Sequence, residues 1–332
     1  MVKRVLTSLI ALTLSAGALV ACASSDDETV TPEAGSSGAA AGAFPVSITH
    51  KLGTTTLEKA PERVVALSDA DLDALLLLGV QPVGVYQSVA EGGVSPWAKP
   101  MITGSPKQLV QGENGVDPEE IAALNPDLVL AGGDYYIDNE YKALSPLVPT
   151  TAYETGPFED PWQTTLRQVA KLLGKSEQGE QIIAQVQAKS DAVKTQYPQL
   201  AGKTFTISQV YEAGTIGVLR SDKDVTVKAF ADLGMKLAPA VAALPGEDFA
   251  VTLSLEKIAT IDADVVLVYC TEPQLKTALE SNTLFKNLNA VKGGKYVAVG
   301  TDAFMALRNP SPLSVPFFID NTVPDVAKAA GA

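Results

Sequence analysis

The chain has 332 residues, enough for two ordinary hydrophobic cores, and 46% of them are apolar, as in globular α/β proteins. Its formal charge of −13 excludes the basic footprint that nucleic acid requires and disfavours adhesion to anionic lipid. Two cysteines and a single histidine, His50, exclude a disulfide framework and a closed metal site built from several imidazoles. In chain order, Lys3 and Arg4 precede an apolar run from Val5 to Val20, too short to span a bilayer but of the form of a signal peptide. Loss of those two cations would take the charge from −13 to −15. Residues 23–43 are small and polar and read as a disordered tether.

The folded part is expected to begin at residue 44, with Phe44 to Leu57 as an edge strand or hairpin. Arg63 to Ser68 reads as a buried strand, and Asp71 to Leu78 as a helix closed by Gly79. Asp69 or Asp71 is expected to cap that helix, with the remaining acids, Asp73 included, complementing its dipole. Pro82 to Tyr86 is the next strand, followed by a long Gly- and Pro-rich loop. Asp117-Pro118 opens a helix, and Asp127 to Ala131 forms the strand after it. Leu147 to Tyr153 reads as a further short strand, and Asp160-Pro161 as the start of a helix ending near Gly174.

Ser176 to Tyr197 is the organising stretch. Ile182, Val186, Val193 and Tyr197 share one stripe of a helix, Ser176 can cap it, and Pro198 stops it. Residues 119–130 before it align without a gap to residues 256–267 after it, sharing Glu, Ile, Ala, Asp, Val and Leu. The expected fold is α/β, with two similar Rossmann-like lobes of mostly parallel sheets joined by one long rigid helix. The divisions are 1–22, signal peptide; 23–43, tether; 44–174, first lobe; 175–198, connecting helix; 199–332, second lobe. In the second lobe Thr204 to Tyr211, Asp264 to Tyr269 and Lys295 to Val299 read as strands. Val225 to Leu233 reads as a helix, Ser254 caps the second repeat helix, and Ser311-Pro312 opens a terminal one. Cys270, ending an apolar run, reads as a buried thiol.

Ligands of doubly wound sheets bind beyond the carboxyl ends of the strands. In the first lobe that rule nominates Tyr86, Tyr135 and Tyr136, with Trp97 nearby. In the second it nominates Tyr211, Phe304 and Arg308, with Arg220 in the loop after the Tyr211 strand. Aromatic faces with guanidinium groups suit a large, planar, anionic ligand. Glu119 and Glu256 occupy equivalent first turns on the same edge of each lobe, which favours a docking role over dipole compensation alone. No serine-hydrolase elbow, Walker-type loop or dinucleotide fingerprint is present, so no catalytic residue is nominated and no enzyme is expected.

The segment Leu19-Val20-Ala21-Cys22 resembles the lipobox of bacterial lipoproteins, which implies cleavage before Cys22 and acylation, palmitate included, at that residue. The folded part resembles the iron–siderophore substrate-binding proteins of bacterial ABC transporters, in the helical-backbone class that also binds cobalamin and haem. The resemblance is carried by residues 61–67, 79–85 and 115–129, and by Asn309-Pro310-Ser311-Pro312-Leu313-Ser314. It implies a monomer, lipid-anchored to the outer face of the cell membrane, holding a ferric siderophore between its lobes. Iron would be held by the siderophore, with no protein metal ligand and no cofactor. It also implies that Glu119 and Glu256 meet basic pockets on a permease dimer. The alternatives are a cobalamin or haem receptor, a sensor or scaffold without transport, and an enzyme of the related metallocluster or chelatase type.

Overall fold

The computed structural model describes residues 44–156 and 158–331. The expected signal peptide, the expected lipid site Cys22 and the expected tether lie outside the described residues. Among those described, no helix is long and apolar enough to cross a membrane.

The chain enters through an antiparallel hairpin, β1 (Val46–His50) and β2 (Gly53–Leu57). Then follow β3 (Val64–Ala66), α1 (Asp69–Leu77), β4 (Gly84–Tyr86), β5 (Lys107–Leu109), α2 (Pro118–Ala122), β6 (Leu128–Leu130), α3 (Ile137–Leu144) and α4 (Trp162–Leu172). Strands β5, β4, β3 and β6 lie in that order in one wholly parallel sheet. Its strands are buried along their length except at β5 and at Tyr86, the half-buried end of β4, as expected of a sheet covered on both faces. Leu147 to Tyr153 makes only a single bridge, Val129 to Thr150, and is not a strand.

The connecting helix α5 (Ser176–Gln196) follows. Lys175, not Ser176, is the residue outside its first turn, and no side chain caps it. The expected stripe is present: Val186 and Val193 are buried, Ile182 and Ile183 pack on the first-lobe core, and Val193 enters a second core built largely from residues beyond 200. Polar ties follow the same division. Lys175 and Gln178 donate to the carbonyls of Leu78 and Leu77, while Lys189 pairs with Asp320 at 2.6 Å. At about 1.5 Å per residue the helix is roughly 32 Å long.

The second sheet uses β7 (Thr204–Val210), β8 (Thr215–Leu219), β9 (Lys236–Leu237), β10 (Ala250–Ser254), β11 (Val265–Cys270) and β12 (Tyr296–Val299). The helices are α6 (Val225–Asp232), α7 (Pro239–Ala242), α8 (Pro273–Ser281), α9 (Thr283–Lys286), α10 (Asn289–Lys292), α11 (Thr301–Arg308), α12 (Ser314–Asn321) and α13 (Val323–Ala330). The sheet order is β10-β8-β7-β11-β12, with β9 also against β7. This sheet is mixed, because β8 runs antiparallel to both β7 and β10. The second repeat segment, Leu255–Ile261, is a 3-10 helix rather than an α-helix.

The lobes are joined by more than a strut. Ala66, Leu72, Leu76, Val85 and Trp97 of the first share one apolar cluster with Phe205, Phe230 and Phe318 of the second. Trp97 is the rivet, its ring 5.2 Å from that of Phe317 and its Nε1 donating to Asp73 Oδ2 at 2.7 Å.

Candidate functional site

The site starts with α1. Ser68 ends the β3 segment in extended conformation and caps the helix through the Asp71 N–H, so neither Asp69 nor Asp71 is the cap. Nor are these acids solvated first-turn carboxylates: Asp69, Asp71 and Asp73 are each at most 1% exposed. Each buried carboxylate accepts from at least two donors, although Oδ1 of Asp73 is left without a partner. Asp69 accepts from Ser95 at 2.6 Å and from the Tyr86 hydroxyl at 2.8 Å. Asp71 accepts from Ser68 and from the N–H groups of Gly132 and Gly133. Asp73 accepts from Trp97 and Ser311. Burial raises all three carboxyls above the ordinary range, Asp73 furthest because Asp69 also faces it. Burial and then the Asp69 charge hold the Tyr86 phenol far above its usual value, so it stays a proton donor.

Beyond the carboxyl ends of β3, β4 and β6 lies a pocket of about 350 Å³. Tyr86, Tyr135 and Tyr136 line it, with Asp69, Asp134 and Asn309. Asp134 accepts from the Tyr136 N–H at 3.1 Å and from Gln111 at 3.0 Å. Its carboxyl is pushed up to about 8 by burial first and by Glu140 second. Glu140, whose Oε1 takes the Val116 N–H, is also raised by burial.

A second pocket of about 280 Å³ lies on the other lobe, lined by Tyr211, Phe304, Phe249, Gln209 and Arg308. The Tyr211 hydroxyl and Thr252 Oγ1 are 2.7 Å apart, and Phe304 stacks on Tyr269 with centroids 4.2 Å apart. Side-chain contacts link the two linings. Arg308 sits 4.6 Å from the Phe158 ring and 5.3 Å from that of Phe249, and Phe158 in turn stacks on Tyr135 at 5.5 Å. Arg308 Nη1 also donates to the buried Oδ2 of Asp224 at 2.7 Å.

Six of the eight nominated residues therefore line these two pockets. The other two, Trp97 and Arg220, do not. Trp97 is buried at the lobe junction with its N–H already used. Arg220 follows β8, which reverses direction and carries it back from the carboxyl edge of β7. Its guanidinium there donates to the carbonyls of Leu244, Gly246 and Asp248. The sequence reading missed Phe158 and Phe249. Each is a lone aromatic residue in a loop of glycine and acids, and that contrast was the available signal.

Glu119 and Glu256 are exposed. Each is the second residue of a short helical segment whose cap, Asp117 or Ser254, accepts its N–H. His50 is buried in the hairpin, Nε2 3.0 Å from Thr55 Oγ1, and lines neither pocket. Cys270 is half-buried, and burial raises its thiol. Among the described residues no three His, Cys, Asp or Glu side chains are grouped to hold a metal ion.

This two-lobed arrangement, with a site at the strand ends and a long helix joining the lobes, is that of a solute-binding receptor. The chain belongs to the periplasmic binding protein family, whose model matches residues 64–303. It is 26% identical over 262 residues to the Fe(3+)-citrate-binding protein YfmC of Bacillus subtilis, covering 77% of this chain and 78% of that one. It is 26% identical over 308 residues to the iron(3+)-hydroxamate-binding protein FhuD of the same organism, covering 88% and 89%. Among solved structures it superposes on Streptococcus pneumoniae PiaA in complex with ferrichrome, with a TM-score of 0.74 and 26% identity over 86% of this chain and 99% of that one.

Proposed function

We propose that this protein is the extracytoplasmic substrate-binding component of an ABC importer, capturing a ferric siderophore between its lobes and delivering it to a permease dimer. The observation that carries this reading is the pair of pockets meeting at Arg308, Phe158 and Phe249, at the carboxyl edge of both sheets. Such a pair gives a bulky, roughly spherical chelate two aromatic-rich walls. The relatives named for iron citrate and iron hydroxamate support iron chelates as the class. On this reading the siderophore is cargo rather than a cofactor, and the chain acts as a receptor.

On this reading Tyr86, Tyr135, Tyr136, Tyr211, Phe304 and Arg308 contact the ligand. Glu119 and Glu256 dock on the permease, and residues 44–174, 175–198 and 199–332 act as lobe, strut and lobe. Cys22 carries the lipid that tethers a monomer to the membrane. His50 lines neither pocket, which weakens the haem alternative by leaving only a tyrosine or Met305 as axial ligand. The test is titration of the full chain with ferric catecholates, ferric hydroxamates, ferric citrate, cobalamin and haem, followed by quenching of its aromatic fluorescence. Saturation by at least one iron chelate is expected. Saturation by cobalamin or haem with every iron chelate silent would overturn the assignment.

A further inference from the structure

The charge of the pocket limits which chelates it accepts. Among the residues lining the two pockets the acids are Asp69 and Asp134, and the one cation is Arg308. That cation is already matched. Asp224, fully buried at its side chain, accepts from Arg308 Nη1 at 2.7 Å, and Thr226 Oγ1 lies 3.1 Å from the same nitrogen. Phe158 and Phe249 cover the guanidinium. Arg220, the second cation expected here, is spent on three backbone carbonyls. No lysine lines either pocket. The remaining polar lining is largely neutral: the amides of Gln87, Gln111, Gln209 and Asn309, and four tyrosine hydroxyls. Around this lining the whole chain carries −13.

We propose that the pocket selects ferric chelates of zero or positive net charge, as tris-hydroxamates are, and discriminates against tris-catecholates and polycarboxylates. This rests on the siderophore reading above. A ferric ion held by three singly charged hydroxamates is neutral, and a pendant ammonium makes the chelate a cation. Three doubly charged catecholates leave a triple negative charge. Bringing that charge out of water requires fixed counter-cations, and here there is no uncommitted one. The neutral chelate loses nothing by this, because amide side chains and phenols match its amide arms and carbonyl oxygens. A cationic chelate gains further from the exposed rings of Tyr135 and Phe249 and from the net negative charge of the chain around them. The anionic ligand expected from aromatic residues plus two arginines is therefore replaced by a neutral or cationic one.

The experiment is a charge series on the full chain at fixed pH and ionic strength. It compares a cationic and a neutral ferric tris-hydroxamate with a triply negative ferric tris-catecholate and with ferric citrate. The expected result is a Kd at least about tenfold lower for both hydroxamates, with any catecholate binding strengthened by added salt. Catecholate or citrate binding as tight as the neutral hydroxamate would overturn the charge selectivity while leaving the siderophore receptor intact. Silence of all the iron chelates alongside saturation by cobalamin or haem would overturn the siderophore reading itself.

Discussion

Arg308 and Asp224 form the ion pair on which the electrostatics of the ligand site turns: Nη1 to Oδ2 is 2.7 Å, with 12% and 0% of the two side chains exposed. Asp224 has a second duty as the cap of α6, accepting from the Thr226 N–H at 2.8 Å. Asp224→Asn keeps a good capping oxygen but removes the counter-charge. Breaking a buried pair from one side costs about 3–5 kcal/mol, so a fall toward the lower figure is expected in urea denaturation. The unmatched guanidinium then faces the pocket. The affinity ratio of anionic to neutral chelates should rise roughly tenfold, the effect of about 1.4 kcal/mol. An unchanged ratio would mean that the ligand does not sense Arg308.

A second relationship predicts how stability follows pH. Asp134 is pushed up to about 8 in the folded protein, from an ordinary value of 3.8, by burial and by Glu140. Between those values the folded state binds more protons than the unfolded one. Its contribution is therefore fully present below the unfolded value and is lost as pH rises toward the folded one. Asp69, Asp71 and Asp73 are raised as well and act in the same sense. Denaturation midpoints should fall from pH 5 to pH 8. Asp134→Asn should flatten part of that slope, leaving the share of the α1 acids. A midpoint that climbs over this range would contradict the raised carboxyls.

These acids also mark where sequence reading stops. The stripe on α5 was legible because its period lies within one helix, and the Asp117 and Ser254 caps because each acts two residues away. Asp69, Asp71 and Asp73 looked like first-turn carboxylates. Apart from Ser68, their partners are Tyr86, Ser95, Trp97, Gly132, Gly133, Asn309 and Ser311, up to 240 residues distant. No local pattern announces such donors. Strand β8 was hidden for a different reason: Gly217 interrupts a five-residue run, and its reversal is what takes Arg220 from the site.

Trp97 carries a prediction that separates architecture from binding. Trp97→Phe keeps most of the apolar packing against Phe317 but removes the N–H that Asp73 accepts, leaving Ser311 as its remaining side-chain donor. An incompletely satisfied buried acceptor costs about 1–3 kcal/mol. Chemical denaturation should show that loss, with chelate affinity changed less than by Tyr135→Ala, which removes a ring half exposed in the pocket. A larger affinity loss for Trp97→Phe than for Tyr135→Ala would place the indole in the binding site after all.

The proposed docking pair is tested by separating uptake from capture. Helix α2 and the 3-10 helix each run back to the start of a parallel strand, β6 and β11, which puts both first turns at the carboxyl edge of their sheets. Glu119 and Glu256 are exposed there. As first-turn acids each contributes roughly 0.3–1 kcal/mol through the helix dipole, so replacing both should lower stability only slightly. Neither lines a pocket, so chelate affinity should be unaltered. Glu119→Ala with Glu256→Ala should nonetheless abolish iron-chelate uptake by cells, with each single variant intermediate, because two separated carboxylates fix orientation on the permease as one cannot. Uptake at the parental rate by the double variant, with affinity intact, would show that the permease is met through another face.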